Sequence, residues 1–286
     1  MGQQSALGGA GQGVRRVLSL IIPASNEAAW IGRCLEAVAW SDPVPGGLEV
    51  IVVANGCRDD TAAVARGFDG RIAGLRVLDL AQGSKPGALN AGDAVAQGGI
   101  RAYLDADCVL APGVLAALAA ALQGAAPRYA GATPVVPRPA SAVTRAYGRF
   151  WQRLPFARTV APGYGLYAVN AAGRARWGAF PAIIADDSYV RLQFAPAERV
   201  QVAPTYDWPM VEGFGALTRV RRRQDQGMRE LAAVYPELLR NEAKPRLSLA
   251  QLAALALRDP AGFAAYAAVS LAVRLRPAGA SFVRGR

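Results

Sequence analysis

A chain of 286 residues, 52% hydrophobic and only 19% charged, carries enough apolar material for a real core and is not a disordered polymer. It has no histidine, which excludes a Ser-His-Asp triad, a histidine general base and every metal site built on imidazole. The balance of 32 Lys+Arg against 21 Asp+Glu leaves +11, which suits an anionic partner: nucleic acid, a membrane surface or a phosphorylated substrate.

Residues 1–16 are rich in Gly and Gln without an apolar core, so a flexible N-terminus is expected there and no signal peptide. Ala6 stands where a myristoylation motif needs Ser or Thr. The run VLSLIIP at 17–23 reads as a buried parallel strand. Helical spacing follows over 27–38, with Trp30, Ile31, Leu35 and Val38 on one side. Further strands are expected at 48–53, 75–80 and 100–104, and helices from about 59, at 85–96 and at 112–122. Four strand–helix alternations predict an α/β layered domain with a mostly parallel sheet. In such sheets ligands bind at the carboxyl ends of the strands.

Past residue 125 the alternation breaks. Strands are expected at 129–136, 163–170 and 199–202, and helices at 141–154 and 186–194. A basic helix is expected around 219–226, and two Ala/Leu-rich helices after 240 separated by Asp259-Pro260. Residues 260–273 carry no charge, too few to cross a bilayer, which takes about 20. Two readings stay open for them: a core helix, or one lying in a membrane interface.

From Cys108 to Ala185 there is no Asp or Glu, yet eight Arg: 128, 138, 145, 149, 153, 158, 174 and 176. Either this is a solvated face, or a surface kept free of negative charge for an anion. Phe150, Trp151, Phe156, Tyr164 and Tyr167 lie among these arginines, an amphipathic mix suited to a headgroup zone. Cys34, Cys57 and Cys108 are odd in number and widely spaced; they read as reduced, half-buried thiols of a cytosolic protein.

The chemistry concentrates at strand ends. Asp105-Ala106-Asp107 follows the strand at 100–104. Continued extension would throw both carboxylates to one side, where two hard oxygen donors can hold a divalent ion that bridges phosphates. Ser25, Asn26 and Glu27 follow the first strand, and Asn55 the second. Lys85 and Asn90 follow the third, in SKPGALNAG. A Lys in a Gly-rich turn opening a helix can meet phosphate oxygens. Walker A and GxGxxG are both absent, and Gly11-Gln12-Gly13 precedes the first strand, which disfavours a dinucleotide fold.

VLSLIIPASNEAAWI, EVIVVANGCRDDT, SKPGALNAG and LDADC, in this order and spacing, resemble the family 2 glycosyltransferases of the GT-A fold. The resemblance covers roughly residues 17–225. It implies a GT-A domain at 17–235, with a nucleotide-sugar half at 17–125 and an acceptor half at 126–235. The remainder, 236–286, would be a C-terminal helical tail, with a membrane surface as one of its two open readings. Residue by residue, Pro23, Ala24, Ser25, Asn26, Glu27 and Asn55 would hold nucleobase and ribose. Asp105 and Ala106 would lie near the ribose, and Asp107, with Asp105, would ligate Mg²⁺ or Mn²⁺ on the sugar diphosphate. Residues 83–90, including Lys85 and Asn90, would line base and phosphates.

Asp186-Asp187 in IIADDSYVRL matches the family's acidic pair. This family inverts configuration in one displacement, so a carboxylate must take the acceptor proton. Asp187 is favoured over Asp186, although a carboxylate at a helix start can also be an N-cap. Arg222 and Arg223 in RVRRRQ stand where members carry a basic Q/R-x-x-R-W element, here without the Trp. Asn55 replaces an Asp of many members; its amide oxygen can accept from a uracil N3–H, which favours a UDP-sugar donor. The implied acceptor is lipid-linked, phosphorylated or a saccharide, in polysaccharide or glycolipid assembly. The implied location is cytoplasmic, peripheral at the inner face of the plasma membrane, with no nucleic acid as partner. The competing readings are a nucleotidyltransferase-like α/β enzyme, which favours a GxGTR-type loop where this chain has PASNE, and a non-enzymatic Arg-rich binder of anionic surfaces.

Overall fold

The computed structural model describes residues 17–245 and 247–275. The stretch expected to be flexible, 1–16, and the arginines from Arg276 onward lie outside the described residues. In chain order the elements are β1 (Leu18–Ala24), α1 (Ile31–Ala39), β2 (Leu48–Asn55), α2 (Thr61–Arg66), β3 (Leu75–Leu80), α3 (Lys85–Val95), β4 (Ile100–Leu104), β5 (Val109–Leu110) and α4 (Val114–Ala121). There follow β6 (Tyr129–Val135), α5 (Ala142–Trp151), β7 (Leu166–Asn170), α6 (Ala171–Arg174), α7 (Asp186–Leu192), β8 (Arg199–Asp207), α8 (Phe214–Val234), α9 (Leu249–Arg258) and α10 (Pro260–Leu275).

One eight-stranded sheet runs in the order β3-β2-β1-β4-β7-β6-β8-β5. The first four strands are parallel, as their near-continuous apolar runs require when both faces are covered. β7 then enters antiparallel between β4 and β6, so the second half is mixed. Cys34, Leu35 and Val38 of α1 and Leu115 and Leu118 of α4 pack with Leu20, Val52 and Leu104 on one face. Leu89 of α3 and Val190 and Leu192 of α7 pack with Ile21, Val53, Tyr103 and Tyr167 on the other. This two-faced burial fixes the strand ends in one row.

Several local expectations are corrected. The first helix starts at Ile31 and not at residue 27, because the N–H groups of Trp30 and Ile31 both turn back onto Glu27 O; Trp30 is left exposed while Cys34 joins the buried face. The strand expected from 163 begins at Leu166, after Gly163 and Gly165 adopt positive φ. The short strand expected at 199–202 continues to Asp207, because it has partners on both edges, β6 and β5. The three cysteines are free, but Cys34 and Cys108 are fully buried and only Cys57 is intermediate.

The acid-free stretch is acid-free in sequence only. Arg149 and Arg153 pair with Asp259, Arg174 with Asp93 and Arg176 with Glu198. Half of its eight arginines are thus answered by acids brought in from other elements. Phe150 and Tyr167 are also buried and face no headgroup zone.

α10 packs on α5 and α8 through Val269, Ala265 and Tyr266 against Tyr147, Trp151 and Leu217. Asp259 accepts from Gly262 N at 3.0 Å and so caps α10. No described helix is long and apolar enough to cross a membrane.

Candidate functional site

The carboxyl ends of β1, β2 and β4 and the start of α3 open into one cleft of about 380 Å³. Its polar wall includes Pro23, Ser25, Asn26, Glu27, Asn55, Lys85, Asp105, Ala106 and Asp107. Across from these lie Tyr147 and Trp151 of α5, Trp208 to Val211 after β8, and one side of α8.

The loop after β1 is clamped from below. Asn26, at φ 57°, accepts from Arg58 N at 2.8 Å through its side-chain oxygen. Glu27 N donates to Thr61 Oγ1 at 2.8 Å, and Ala28 N to Asp59 Oδ2 at 3.1 Å. The Ser25 hydroxyl lines the cleft and is buried without a hydrogen-bond partner among the described residues, so it is available to a ligand. Ala24 does not reach the cleft: it is a buried strand end whose carbonyl accepts from Asn55 Nδ2 at 2.9 Å.

Asn55 is a clamp more than a reader. Its amide oxygen, expected to face a base, accepts from Ser84 N at 3.0 Å. It thereby ties the ends of β1 and β2 to the start of α3. Gly56 allows the close approach: at φ +57°, a Cβ there would lie 2.4 Å from Gly83 N, a distance no side chain tolerates. Ser84 caps α3 by accepting from Gly87 N, which leaves Lys85 on its first turn.

Lys85 Nζ lies 3.0 Å from Asp105 Oδ1 and 3.4 Å from Asp186 Oδ2. Burial pulls its ammonium down, but the carboxylates of Asp105, Asp186 and Asp187 together hold it above its usual range. Asp186 is the mirror case. Burial pushes its carboxyl up to about 6 against the pull of Lys85, with Asp187 and Asp105 adding to the rise. Asp187 is half-buried beside it, and its Oδ1 accepts from Ser188 N at 2.6 Å. The N-cap of α7 is Ala185 and no side chain caps it, so neither carboxylate is a helix cap. The pair lines a recess of about 20 Å³ that shares Pro23, Lys85 and Asp105 with the cleft.

The Asp105–Asp107 segment is not extended. Cys108 N donates to Asp105 O at 3.1 Å, closing a turn, yet both carboxylates still line the cleft. The turn is seated by Gly165, whose carbonyl accepts from Asp105 N at 2.8 Å. At φ +69°, a Cβ on Gly165 would come within 2.6 Å of Cys108 Sγ. Among the described residues no group of three or more His, Cys, Asp or Glu could hold a metal unaided. Two hard carboxylates in an open cleft fit a Mg²⁺ or Mn²⁺ that takes its other ligands from phosphate oxygens and water.

Besides Ala24, two more expected residues are placed elsewhere. Asn90 faces the other way: its Nδ2 donates to Phe180 O at 3.1 Å and its oxygen accepts from Phe180 N at 2.7 Å. Arg222 donates to Ala272 O of α10 at 2.6 Å, whereas Arg223 lines the cleft together with Leu217, Val220, Arg221 and Gln224. The spacing 217, 220, 221, 224 is one helix face, and that periodicity was the available signal for Arg221 and Gln224. No local pattern marks Tyr147 or residues 208–211 for the cleft.

The family model described as glycosyl transferase family 2 matches residues 19–175, more than half of the chain. The chain belongs to glycosyl transferase family 2. Glycosyltransferase AglE of Haloferax volcanii is 42% identical over 93 residues, which are 32% of this chain and 30% of that relative. Among solved structures, the mannosyltransferase PcManGT from Pyrobaculum calidifontis, in complex with GDP-Man and Mn²⁺, superposes with TM-score 0.55 at 21% identity, covering 92% of this chain and 76% of that one. TarS 1–349 of S. aureus, in complex with UDP-GlcNAc, gives 0.54 at 13% identity over 91% and 92%. These likenesses establish the GT-A fold for this family 2 chain.

Proposed function

We propose that this family 2 chain transfers a sugar from a nucleoside diphosphate sugar to an acceptor hydroxyl, with inversion at the anomeric carbon and dependence on Mg²⁺ or Mn²⁺. The observation that carries this is the convergence of Ser25–Glu27, Asn55, Lys85 and Asp105–Asp107 in one cleft beside Asp186-Asp187. The nucleoside lies against the clamped loop at Pro23–Glu27, where Ser25 offers its unused hydroxyl. Lys85 and the start of α3 meet the diphosphate, and Arg223 approaches it from α8. Asp187 takes the acceptor hydroxyl proton as that oxygen bonds to the anomeric carbon and the bond to the diphosphate breaks. Asp186, held by Lys85, orients the pair. Asp105 and Asp107 would hold a divalent ion, whose charge would offset that developing on the departing diphosphate.

PcManGT is solved with GDP-Man and TarS with UDP-GlcNAc. The donor here is assigned only as a nucleotide sugar, with UDP first in the panel. The far wall of Tyr147, Trp151, Trp208 and Met210 suits an acceptor with an apolar portion. We take that acceptor to be a lipid-linked, phosphorylated saccharide met at the inner face of the plasma membrane, in polysaccharide or glycolipid assembly. Thermal shifts with UDP-, GDP- and dTDP-sugars, with and without Mn²⁺, test the donor. Asp187→Asn should lower kcat by about 10²–10⁴ with donor affinity unchanged. Equal loss of donor affinity, or no Mn²⁺-dependent shift with any donor, would overturn the reading.

A further inference from the structure

α9 and α10 turn uncharged faces to solvent. On α10 the exposed positions include Ala261, Ala264, Ala268, Leu271 and Leu275, spaced three and four apart on one side of the helix. On α9, Leu249, Ala250, Ala253, Ala254 and Leu257 are exposed. Leu249 and Leu257 are each 85% exposed, and no α9 residue is buried. The opposite side of α10 is already used against α5 and α8. The helix is therefore neither a plain core helix nor an unpacked one: it has a packed face and an uncovered apolar face. Exposed apolar faces of this kind mark a contact site.

Charge selects the occupant. Lys244 is paired with Glu242, while from residue 245 onward the sequence holds Arg246, Arg258, Arg274, Arg276, Arg284 and Arg286 against a single acid, Asp259. That acid is buried and held by Arg149 and Arg153, so it answers none of them. A second copy of the chain would set these cations against each other. An anionic bilayer answers both the apolar faces and the charge. Position agrees: α10 packs on α5 and α8, the helices that carry Tyr147, Trp151, Leu217 and Val220 at the apolar wall of the cleft.

We propose that α9 and α10 form a docking surface for an anionic lipid bilayer, with Leu249, Leu257, Leu271 and Leu275 among the headgroups and Arg258 and Arg274 on the phosphates. The surface rests on the reading of a membrane-presented acceptor for its purpose, but binding itself needs neither donor nor catalysis. The test is flotation of the full chain with vesicles of phosphatidylcholine alone, or with about one-third phosphatidylglycerol, at low and high salt. Binding is expected on the anionic vesicles and is weakened by salt. Arg258→Gln with Arg274→Gln should weaken it about 30-fold. Leu257→Glu with Leu271→Glu should abolish it while circular dichroism and Mn²⁺-dependent donor hydrolysis stay at wild-type levels.

No binding to anionic vesicles at low salt overturns the proposal. So does binding that the leucine substitutions leave intact, or a dimer in light scattering that those substitutions dissolve. Vesicle binding by a chain that turns over no nucleotide sugar would remove the transferase reading and keep the surface. Turnover without vesicle binding would do the reverse.

Discussion

Asp259 is the pin that fastens α10 to α5, and its removal has a calculable effect. Its carboxylate accepts from Arg149 Nε and Nη2, both at 2.8 Å, from Arg153 Nη1 at 3.2 Å and from Gly262 N at 3.0 Å. The hydrogen-bonded Arg149 guanidinium, helped by Gly262 N–H and the Arg153 charge, holds the group at about 2, against 3.8 in an unpaired carboxyl. A depression of that size corresponds to about 2 kcal/mol of native-state stabilisation. The Arg149 side chain is 48% exposed, so screening trims the figure to about 1–2 kcal/mol. Asp259→Asn can keep the oxygen that accepts from Gly262 N, but it loses the charge and sets an NH2 donor where the carboxylate accepted from Arg149 Nε and Arg153 Nη1. In a domain of this size it should lower Tm by roughly 2–8 °C at pH 7. Asp259→Ala also loses the cap, a further ~1 kcal/mol.

The pH dependence has a definite sign. A carboxyl depressed in the folded state stabilises above its unfolded value and loses that contribution as pH falls through the folded one. The gap between wild type and Asp259→Asn should therefore be full above about pH 4 and close as pH approaches 2. Thermal unfolding followed by circular dichroism across that range measures it. An Asn variant with wild-type Tm at pH 7, or a gap that persists undiminished at pH 2, refutes the reasoning.

Asp107→Asn should remove one anionic oxygen from the cleft, abolish Mn²⁺-dependent transfer and leave Tm within about 1 °C, since the amide has the shape of the carboxylate and the group is half-buried at an open cleft; chelation of wild type should stop transfer equally. Asn90→Ala should cost about 1–3 kcal/mol, because it orphans Phe180 N and O, yet leave the donor KM unchanged. Gly56→Ala should do the opposite kind of damage: the new Cβ meets Gly83 N, pushes the start of α3 off Asn55, and raises donor KM in steady-state assays. Trp208→Ala should raise the acceptor KM and spare donor hydrolysis, which separates the two walls of the cleft.

Much of the fold and half of the site were legible because they are written locally. The apolar runs at 17–23, 48–53 and 100–104 could satisfy their backbone and bury their side chains only as inner strands, and the more polar run at 75–80 takes the edge of the sheet. The polar residues directly after those runs had to emerge at one edge of the sheet. Ser25, Asn55, Lys85, Asp105 and Asp107 are in the cleft for that reason. The Asp105–Cys108 turn shows the limit even here, since it reached the expected placement by a different backbone path.

What tertiary structure decided is the direction of side chains whose partners are remote in sequence. Asn90 lies five residues on from Lys85, about 140° around α3, and Phe180, 90 residues on, holds it away from the cleft. Arg222 and Arg223 are neighbours, but packing of α10 on α8 sends one to Ala272 and leaves the other in the cleft. The acid-free stretch looked like bare positive charge because Asp93, Glu198 and Asp259, which neutralise half of it, lie outside it. Local periodicity sets which face of an element is apolar. Which polar group on the other face finds water, a ligand or a counter-charge is set by elements that meet it only after folding, and no short-range pattern encodes that meeting.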